Sequence, residues 1–316
     1  MAACVNKWQP ATYPCCLPSK LLRLLSPDCT TDLPVSSPSP SQPPAIVDLV
    51  WETLRAEAQA DAVDEPMLRK FYHDLVLSRP SLESALASML AAKLCIPGEL
   101  SQDQVRDLLA GALDAHPEAG RAARADLAAA RDRDPACDKM VHCFLYYKGF
   151  LALQAHRVAH ALWSDGRRVP ALLLQSRASE VFGVDIHPAA RIGSGILLDH
   201  ATGVVIGETA VVGSDGSILH AVTLGGTGKD SGDRHPKVGG GVLIGAGASV
   251  LGNVHIGDGA KIGAGAVVLR DVPDGTTAVR REPGEADRQE AGAATATDRA
   301  TRDHHGVEMV GFNCSN

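Results

Sequence analysis

An aliphatic residue recurs every six positions over most of the second half of the chain. The period is interrupted twice, first by a slip of two residues and later by a longer insertion. It fits neither the 3.6-residue helix nor strand alternation, and it is typical of a parallel β-helix of short rungs with stacked inward side chains. The thirteen in-phase positions are Ile186, Ile192, Leu198, Ile206, Val212, Ile218, Leu224, Val238, Ile244, Val250, Ile256, Ile262 and Val268.

Polar residues are concentrated beside the two interruptions. The phase slips between Leu198 and Ile206, and 14 residues separate Leu224 from Val238 where one rung needs six. Loops that leave a rigid scaffold commonly carry function, so we expect the chemistry of the chain here. The polar segments are Val184-Asp185-Ile186-His187-Pro188, Leu198-Asp199-His200-Ala201-Thr202-Gly203, Val222-Thr223-Leu224-Gly225-Gly226-Thr227-Gly228 and Gly232-Asp233-Arg234-His235-Pro236-Lys237.

The composition excludes several classes of partner. The 316 residues carry a net charge of −7 with a pI near 5.9 and 4% aromatic residues, which argues against nucleic acid and against an anionic membrane surface. No apolar run of about 18 residues predicts a membrane span. The eight cysteines include no CxxC pair, so we expect reduced thiols in an intracellular compartment.

The first half of the chain divides into a leader and a helical domain. Residues 1–44 end in a Ser- and Pro-rich run and are predicted to be disordered. The leader has only part of the character of a transit peptide, so a cytoplasmic location and a chloroplast or mitochondrial one both stay open. Residues 45–182 are predicted to be helical, with a capping box formed by Ser101 and Gln104.

Two shorter motifs resemble catalytic sequences without completing them. His156 and His160 have the spacing of a zinc-protease helix, but Arg157 stands where the general-base Glu is required, so we interpret both as structural. The segment from Gly225 to Asp230 resembles a phosphate-binding loop that lacks its first Gly and its magnesium-binding Ser or Thr. We therefore predict neither a bound metal nor nucleotide hydrolysis.

Taken together, the polar segments resemble the serine acetyltransferases, and especially the plant-type members. The resemblance covers about residues 51–279 and includes Arg133-Asp134-Pro135-Ala136 and Tyr147-Lys148-Gly149-Phe150-Leu151-Ala152. It implies an α+β fold in which the N-terminal α-helical domain is followed by a left-handed parallel β-helix of hexapeptide repeats at residues 183–275. It also implies acetyl transfer from acetyl-CoA to the hydroxyl of L-serine, which gives O-acetyl-L-serine and CoA and commits serine to L-cysteine biosynthesis.

The resemblance assigns roles to individual residues. His200 matches the general base. Imidazole suits this role because its ordinary pKa lies near neutral pH. Asp185 matches the carboxylate that orients the base. Arg234 matches the group that binds the serine carboxylate, with which a guanidinium can form a bidentate pair. The remaining substrate contacts of the family fall on Asp134, Asp199 and His235.

The second substrate and the assembly are also implied by the resemblance. Acetyl-CoA is expected along the outer wall of the β-helix between neighbouring subunits, at Gly226, Thr227, Ala246 and Ala264. The chain has no GxSxG motif and no reactive-Cys setting, so direct attack by serine is favoured over an acyl-enzyme. The β-helices are expected to form a homotrimer and the helical domains to pair two trimers into a hexamer. L-Cysteine is expected as a feedback inhibitor at the serine site.

Two alternatives come from other functional classes. One is a non-catalytic regulatory subunit of the cysteine synthase complex, against which the intact site residues argue. The other is a zinc enzyme of the carbonic anhydrase type, which would use three histidines of a hexapeptide β-helix. His187, His220 and His255 raise this alternative, but their spacing is irregular. We interpret His187 as a structural residue at a turn.

The match to the family ends near Val279. Residues 276–316 are rich in Ala, Thr, Asp and Arg and are predicted to be disordered. Family members usually end in an aliphatic residue that enters the active site of cysteine synthase (O-acetylserine thiol-lyase). The segment Phe312-Asn313-Cys314-Ser315-Asn316 lacks such a residue, which argues against docking to that enzyme.

Overall fold

The computed structural model describes residues 48–228 and 231–280, together with the backbone of a short strand at residues 308–310. Helices occupy the first part of the described chain and short strands the second. The predicted leader, the rest of the predicted tail, and Lys229 and Asp230 of the loop that resembles a phosphate-binding loop lie outside the described residues.

The helical part packs around a core of aliphatic and aromatic side chains. Ser101 and Gln104 form the predicted capping box at the start of α4. Gly183 ends α8 at a φ of 67°, a left-handed conformation that glycine adopts readily. A 3₁₀ turn and a π turn flank the short α2. The helices are α1 (Leu49–Asp64), α2 (Arg69–Tyr72), α3 (Leu82–Leu94), α4 (Gln102–Ala115), α5 (Pro117–Arg133), α6 (Met140–Tyr146), α7 (Lys148–Ser164) and α8 (Arg168–Phe182).

Strands β1 to β14 are parallel and form three sheets, which the chain visits in turn. The described strands therefore form a three-sided parallel β-helix. The first sheet contains β1 (Val184–Ile186), β4 (Val204–Ile206), β7 (Thr223–Gly225), β10 (Ser249–Leu251) and β13 (Val267–Val268). The second contains β2 (Arg191–Ile192), β5 (Val211–Val212), β8 (Lys237–Val238) and β11 (His255–Ile256). The third contains β3 (Leu197–Leu198), β6 (Ser217–Ile218), β9 (Leu243–Ile244), β12 (Lys261–Ile262) and β14 (Thr277–Val279), with β15 (Glu308–Val310) antiparallel to β14.

The hexad residues occupy equivalent positions in register on all three sheets. Stacking from rung to rung removes these side chains from water, and all thirteen are buried except the half-buried Ile192. The β-helix predicted from the six-residue period is therefore confirmed. The row of the first sheet is Ile186, Ile206, Leu224, Val250 and Val268. The other rows are Ile192, Val212, Val238 and Ile256, and Leu198, Ile218, Ile244 and Ile262.

Both interruptions of the hexad period lie at corners of the β-helix. We call the first corner the edge where the first sheet passes to the second, and the long insertion between β7 and β8 lies there. The third corner is the edge where the third sheet passes to the first, and the slip lies there, between β3 and β4. The second corner, between the second and third sheets, packs against the helices.

A buried ion pair joins the helices to the second corner. Arg157 of α7 pairs with Asp126 of α5 at 2.8 Å, and the two side chains are 8% and 1% exposed. The same guanidinium donates hydrogen bonds to the carbonyl oxygens of Ile192 and Gly193, and the carboxylate accepts one from the backbone N–H of Ile196. Both charges thus bond each other and the turns of the β-helix, which satisfies two side chains that are almost fully buried.

The helical part and the β-helix share one hydrophobic core, and the described residues 48–228 and 231–280 belong to one compact unit. The predicted fold class, helices followed by a parallel β-helix, is confirmed. Ala278 of β14 is in register with Ile262, so the third sheet continues past the expected end of the β-helix at residue 275. No helix in the described part of the chain is long and apolar enough to cross a membrane.

Replacing Arg157 with Met is expected to lower the free energy of unfolding by about 3–5 kcal/mol, because the Asp126 carboxylate would stay buried without its partner. Denaturation in urea measures this loss. Arg121→Met removes an exposed arginine from α5 and is the control, with an expected change within about 0.5 kcal/mol. A loss below about 1 kcal/mol for Arg157→Met would show that the ion pair does not stabilise the contact between the helices and the second corner.

Candidate functional site

His200 lies at the third corner in a left-handed backbone conformation. Its φ is 55° and that of Ala201 is 58°, a region that residues other than glycine rarely adopt and that is common at functional sites. The imidazole is 73% exposed, and its Nε2 lies 3.6 Å from the Asp199 carboxylate. The ring of His220 contacts it edge-on, with ring centres 5.9 Å apart. The imidazole is thus contacted on two sides and open to a ligand on the others.

The first turn of α7 supports the backbone of the third corner. Lys148 donates a hydrogen bond to the Thr202 hydroxyl, and the Thr202 backbone N–H donates to the His200 carbonyl oxygen at 2.7 Å. Gly149 permits this close approach, because a Cβ there would lie 1.9 Å from the carbonyl oxygen of Leu198. The helical part therefore helps to position His200.

The two alanines predicted to contact acetyl-CoA lie further along the third corner. The N–H of Gly247, next to Ala246, donates to the His220 carbonyl oxygen at 2.9 Å, and Ala264 lies at the same corner of the following rung. His200, His220, Ala246 and Ala264 therefore form a column along one edge of the β-helix.

Arg234 lies at the first corner and is paired with a carboxylate that the sequence motifs did not single out. Its Nη2 donates to Glu208 Oε2 at 2.7 Å, and Nη1 donates to the carbonyl oxygen of Gly232 at 3.0 Å. The hydrogen bond from Arg234 lowers the pKa of the Glu208 carboxyl, and the other guanidinium N–H groups stay available for a ligand. Gly226 and Thr227 lie beside this group, since a Cβ on Gly226 would be 3.4 Å from the carbonyl oxygen of Arg234.

His235 is buried at the first corner, with 6% of its surface exposed. Its Nδ1 accepts a hydrogen bond from the Thr209 backbone N–H at 3.2 Å, which assigns the ring proton to Nε2. The Nε2 edge packs over Gly207, where a Cβ would lie 2.0 Å from the ring. Burial, together with the positive charges of Arg234 and Lys237, lowers the pKa of His235, so this ring is neutral at neutral pH.

The sequence motifs did not identify Glu208 and Thr209, which also lie at the first corner. The hexad register could have indicated Thr209. Thr209 and His235 each precede an in-phase residue, Val212 and Val238, by three positions. Because those two residues are in register, Thr209 and His235 stack on successive rungs.

His187 lies at the first corner on the lowest rung. Its Nδ1 accepts a hydrogen bond from the Ala189 N–H at 3.1 Å, and its ring contacts Trp163 edge-on at 5.1 Å between ring centres. Burial lowers the pKa of His187. These are the contacts of a structural histidine at a turn.

Asp185 projects from the outer surface of the first sheet, between the inward-facing Val184 and Ile186. Its Oδ1 accepts a hydrogen bond from the side-chain amide of Gln175 at 2.7 Å. Within residues 48–228 and 231–280, no hydrogen bond or ion pair joins Asp185 to His200.

Asp134 lies at the end of α5, where its Oδ1 accepts a hydrogen bond from the Ala136 N–H at 2.9 Å. Burial raises the pKa of Tyr147, the residue before α7, and the negative charges of the neighbouring Cys137 and Asp134 raise it further. Asp134 therefore lies beside the first turn of α7, which packs against the third corner.

The candidate residues form two groups, which lie at different corners. Asp134, Asp199 and His200 belong to the third corner, and Arg234 and His235 belong to the first. Strand β4 (Val204–Ile206) crosses the first sheet between these corners, and its three extended residues span roughly 10 Å.

A cavity of about 640 Å³ lies at the second corner, away from both groups. It is lined in part by His156 and His160, and burial holds the pKa of His156 well below 6.5. His160 Nδ1 donates to the Pro188 carbonyl oxygen at 2.7 Å. Among the described residues, no group of three or more His, Cys, Asp or Glu side chains is arranged to hold a metal ion.

Sequence comparisons match both parts of the chain. The family profile "Serine acetyltransferase, N-terminal" matches residues 50–155, and "Bacterial transferase hexapeptide (six repeats)" matches residues 235–270. Probable serine acetyltransferase 4 of Oryza sativa subsp. japonica is 82% identical over 284 residues, which cover 88% of this chain and 90% of that protein.

Solved structures match the same region. Soybean serine acetyltransferase complexed with serine is 60% identical with a TM-score of 0.71, and the match covers 73% of this chain and 94% of that one. The serine acetyltransferase of Brucella abortus strain S19 in complex with coenzyme A is 51% identical with a TM-score of 0.72, covering 74% and 93%.

The fold and the hexapeptide-repeat match define an acyltransferase of the hexapeptide-repeat class. The chain belongs to the serine acetyltransferase family. The predicted family is therefore confirmed. Two relatives from Arabidopsis thaliana are named for organelles: serine acetyltransferase 3, mitochondrial, at 58% identity (74% of this chain, 60% of that protein), and serine acetyltransferase 1, chloroplastic, at 59% (73% and 74%).

The pKa of His235 is expected to respond in opposite directions to two substitutions at the first corner. Lys237→Met removes a positive charge and should raise it towards 6.5, whereas Glu208→Gln removes a negative charge and should lower it further. NMR titration of ¹³C-labelled histidines measures both, with His235→Gln assigning the signal. Shifts of the same sign would contradict this charge arrangement.

Proposed function

We propose that this chain transfers the acetyl group of acetyl-CoA to the hydroxyl of L-serine, with His200 as the general base. The observation that carries the proposal is the division of charge between two corners. Carboxylates and an exposed imidazole lie at the third corner, and a guanidinium lies at the first. Relatives solved with serine and with coenzyme A support the choice of substrates.

The two corners complement the charges of a free amino acid. The carboxylates of Asp199 and Asp134 suit the ammonium group of serine. Arg234 suits the carboxylate, because a guanidinium can donate two parallel hydrogen bonds to it. The neutral His235 offers a further donor at Nε2. Serine bound in this way directs its hydroxyl towards the third corner.

His200 removes the proton from the serine hydroxyl as the oxygen attacks the thioester carbonyl of acetyl-CoA. A neutral hydroxyl is a weak nucleophile, so this proton transfer is needed at neutral pH. The tetrahedral intermediate then releases CoA thiolate, which takes the proton from the imidazolium. The Asp185 carboxylate orients the imidazole and stabilises its protonated form. No acyl-enzyme is formed.

The complete site is formed between two copies of the chain. The two corners lie at opposite edges of the first sheet in one chain, whereas a cyclic trimer brings the third corner of one subunit against the first corner of the next. Acetyl-CoA then lies between the subunits, beside Ala246 and Ala264 of one copy and Gly226 and Thr227 of the other. The pairing of two trimers through the helical parts into a hexamer belongs to the same proposal.

The proposal also includes a feedback inhibitor and a cellular location. L-Cysteine has the same ammonium and carboxylate groups as serine, so it would compete with serine at this site. We place the activity in cysteine biosynthesis in the cytoplasm, with the organelle-named relatives making a chloroplast or mitochondrial location the alternative.

His200→Ala is expected to lower kcat by about 10²–10⁴-fold, since it removes the general base. Serine-dependent release of the CoA thiol measures the rate, and size-exclusion chromatography should give an unchanged assembly. His255→Ala, which removes another exposed histidine on the second sheet, is the matched control and should retain the rate. Near-full activity of His200→Ala would contradict the assignment of the base.

Mixed assemblies test whether the site is shared between subunits. His200→Ala and Arg234→Ala are each expected to be nearly inactive alone. Co-expressed in equal amounts, they should recover about a quarter of the wild-type activity, because about one interface in four combines an intact third corner with an intact first corner. Recovery should be absent when the same two proteins are mixed after assembly without exchange. No recovery on co-expression would mean that each site lies within one chain.

A further inference from the structure

Gln175 is a polar residue at an apolar contact between α7, α8 and β1. It is half-buried, and together with Ala155, Ala178, Val184 and Ile186 it lines a small gap. Apolar side chains therefore surround its aliphatic stem, which restricts the directions in which its amide can point.

The amide of Gln175 is bonded to the candidate orienting carboxylate. Its Nε2 donates to Asp185 Oδ1 at 2.7 Å. Within residues 48–228 and 231–280 neither side chain makes another hydrogen bond, so Asp185 Oδ2 is left without a partner. The two oxygens of the carboxylate are therefore distinguished, one bonded to the amide and one available.

We propose that Gln175 is a positioning residue, which fixes the Asp185 carboxylate so that its available oxygen meets the imidazole of His200 during acetyl transfer. The torsion that turns an aspartate carboxylate is broad, so an unrestrained carboxylate samples many orientations. A hydrogen bond from a packed amide selects one of them. The inference rests on the proposed roles of Asp185 and His200.

A neutral amide suits this role better than a cation. A lysine or arginine at position 175 would form an ion pair with Asp185 and compensate the negative charge that the imidazolium needs. An amide donor stabilises the ionised carboxylate while leaving its charge in place. The local connection also suits the role, because α8 leads directly through Gly183 into β1 and only 10 residues separate the two partners.

Gln175→Met keeps the length of the side chain and removes its donor. We expect kcat to fall about tenfold, while KM for serine and for acetyl-CoA changes less than twofold, since bound substrates do not touch Gln175. The acidic side of the pH profile of kcat, which reports on the enzyme with its substrates bound, should move to lower pH, because the imidazolium loses part of its stabilisation by Asp185. Gln102→Met, at an exposed position in α4, is the matched control and should leave both unchanged.

Gln175→Glu provides a second variant in case the apolar substitution disturbs folding, which thermal unfolding of each variant reports. Two carboxylates would face each other at neutral pH, so its activity should be low there. Its activity relative to wild type should rise at acidic pH, where the protonated Glu donates a hydrogen bond to Asp185. A purely structural link between α8 and β1 would change the thermal midpoint without either pH effect.

A double-mutant cycle identifies the residue through which Gln175 acts. In an Asp185→Asn background, Gln175→Met should lower kcat less than twofold further, because the carboxylate that it positions is already gone. If the two substitutions lower kcat independently, so that the fold-losses of the single variants multiply in the double variant, Gln175 does not act through Asp185. An unchanged kcat and pH profile in Gln175→Met alone would also overturn the role of Gln175. Either result would leave the proposed function intact. Full activity of Asp185→Asn or His200→Ala would instead overturn the proposed catalytic pair, and the inference about Gln175 with it.

Discussion

Every rung of this β-helix must stack an aliphatic side chain on the one below it. The strands are two or three residues long, so each contributes only one or two inward side chains, and a shift by one residue would turn these outwards. Extra residues can therefore be accommodated only at the corners. The slip after Leu198 and the insertion after Leu224 both follow this rule, and they carry His200 and Arg234 respectively.

One helix connects the packing of the rungs to the chemistry. α7 is 17 residues long, which corresponds to about 25 Å. Arg157 bonds the turns of the second corner, and Lys148 and Gly149 at its start contact the backbone around His200. The left-handed conformation of His200 and its neighbour is costly for residues with a Cβ. Packing against α7 offsets this cost and keeps the imidazole in place at an exposed edge.

The hexad period was sufficient to predict the β-helix and all of its in-phase inward positions, because each rung depends on a local repeat. The local motifs were also sufficient to name His200, Arg234 and His235 as candidates. Their separation onto two corners could not be predicted from motifs, since it depends on how three sheets close around the axis. Asp126 and Arg157 are 31 residues apart on different helices, and nothing in the spacing indicates their pairing.

Gln175 illustrates a further limit. It lies in ordinary helical sequence, and only the packing of α8 on β1 brings its amide to Asp185. The Glu208–Arg234 pair likewise depends on tertiary structure. The two residues meet because the long insertion returns to the rung of Thr209 before β8 begins. A residue whose role is to hydrogen-bond another side chain is hard to identify from sequence. A segment that interrupts a repeat is easy to identify.

In the proposed mechanism, the two corners of adjacent subunits form one serine site. A crystal structure of the assembled protein with L-serine tests it most directly. We predict electron density for serine between subunits, with its carboxylate on Arg234 of one copy and its hydroxyl facing His200 of the next. Serine bound wholly within one chain, or bound at the cavity of the second corner, would contradict it.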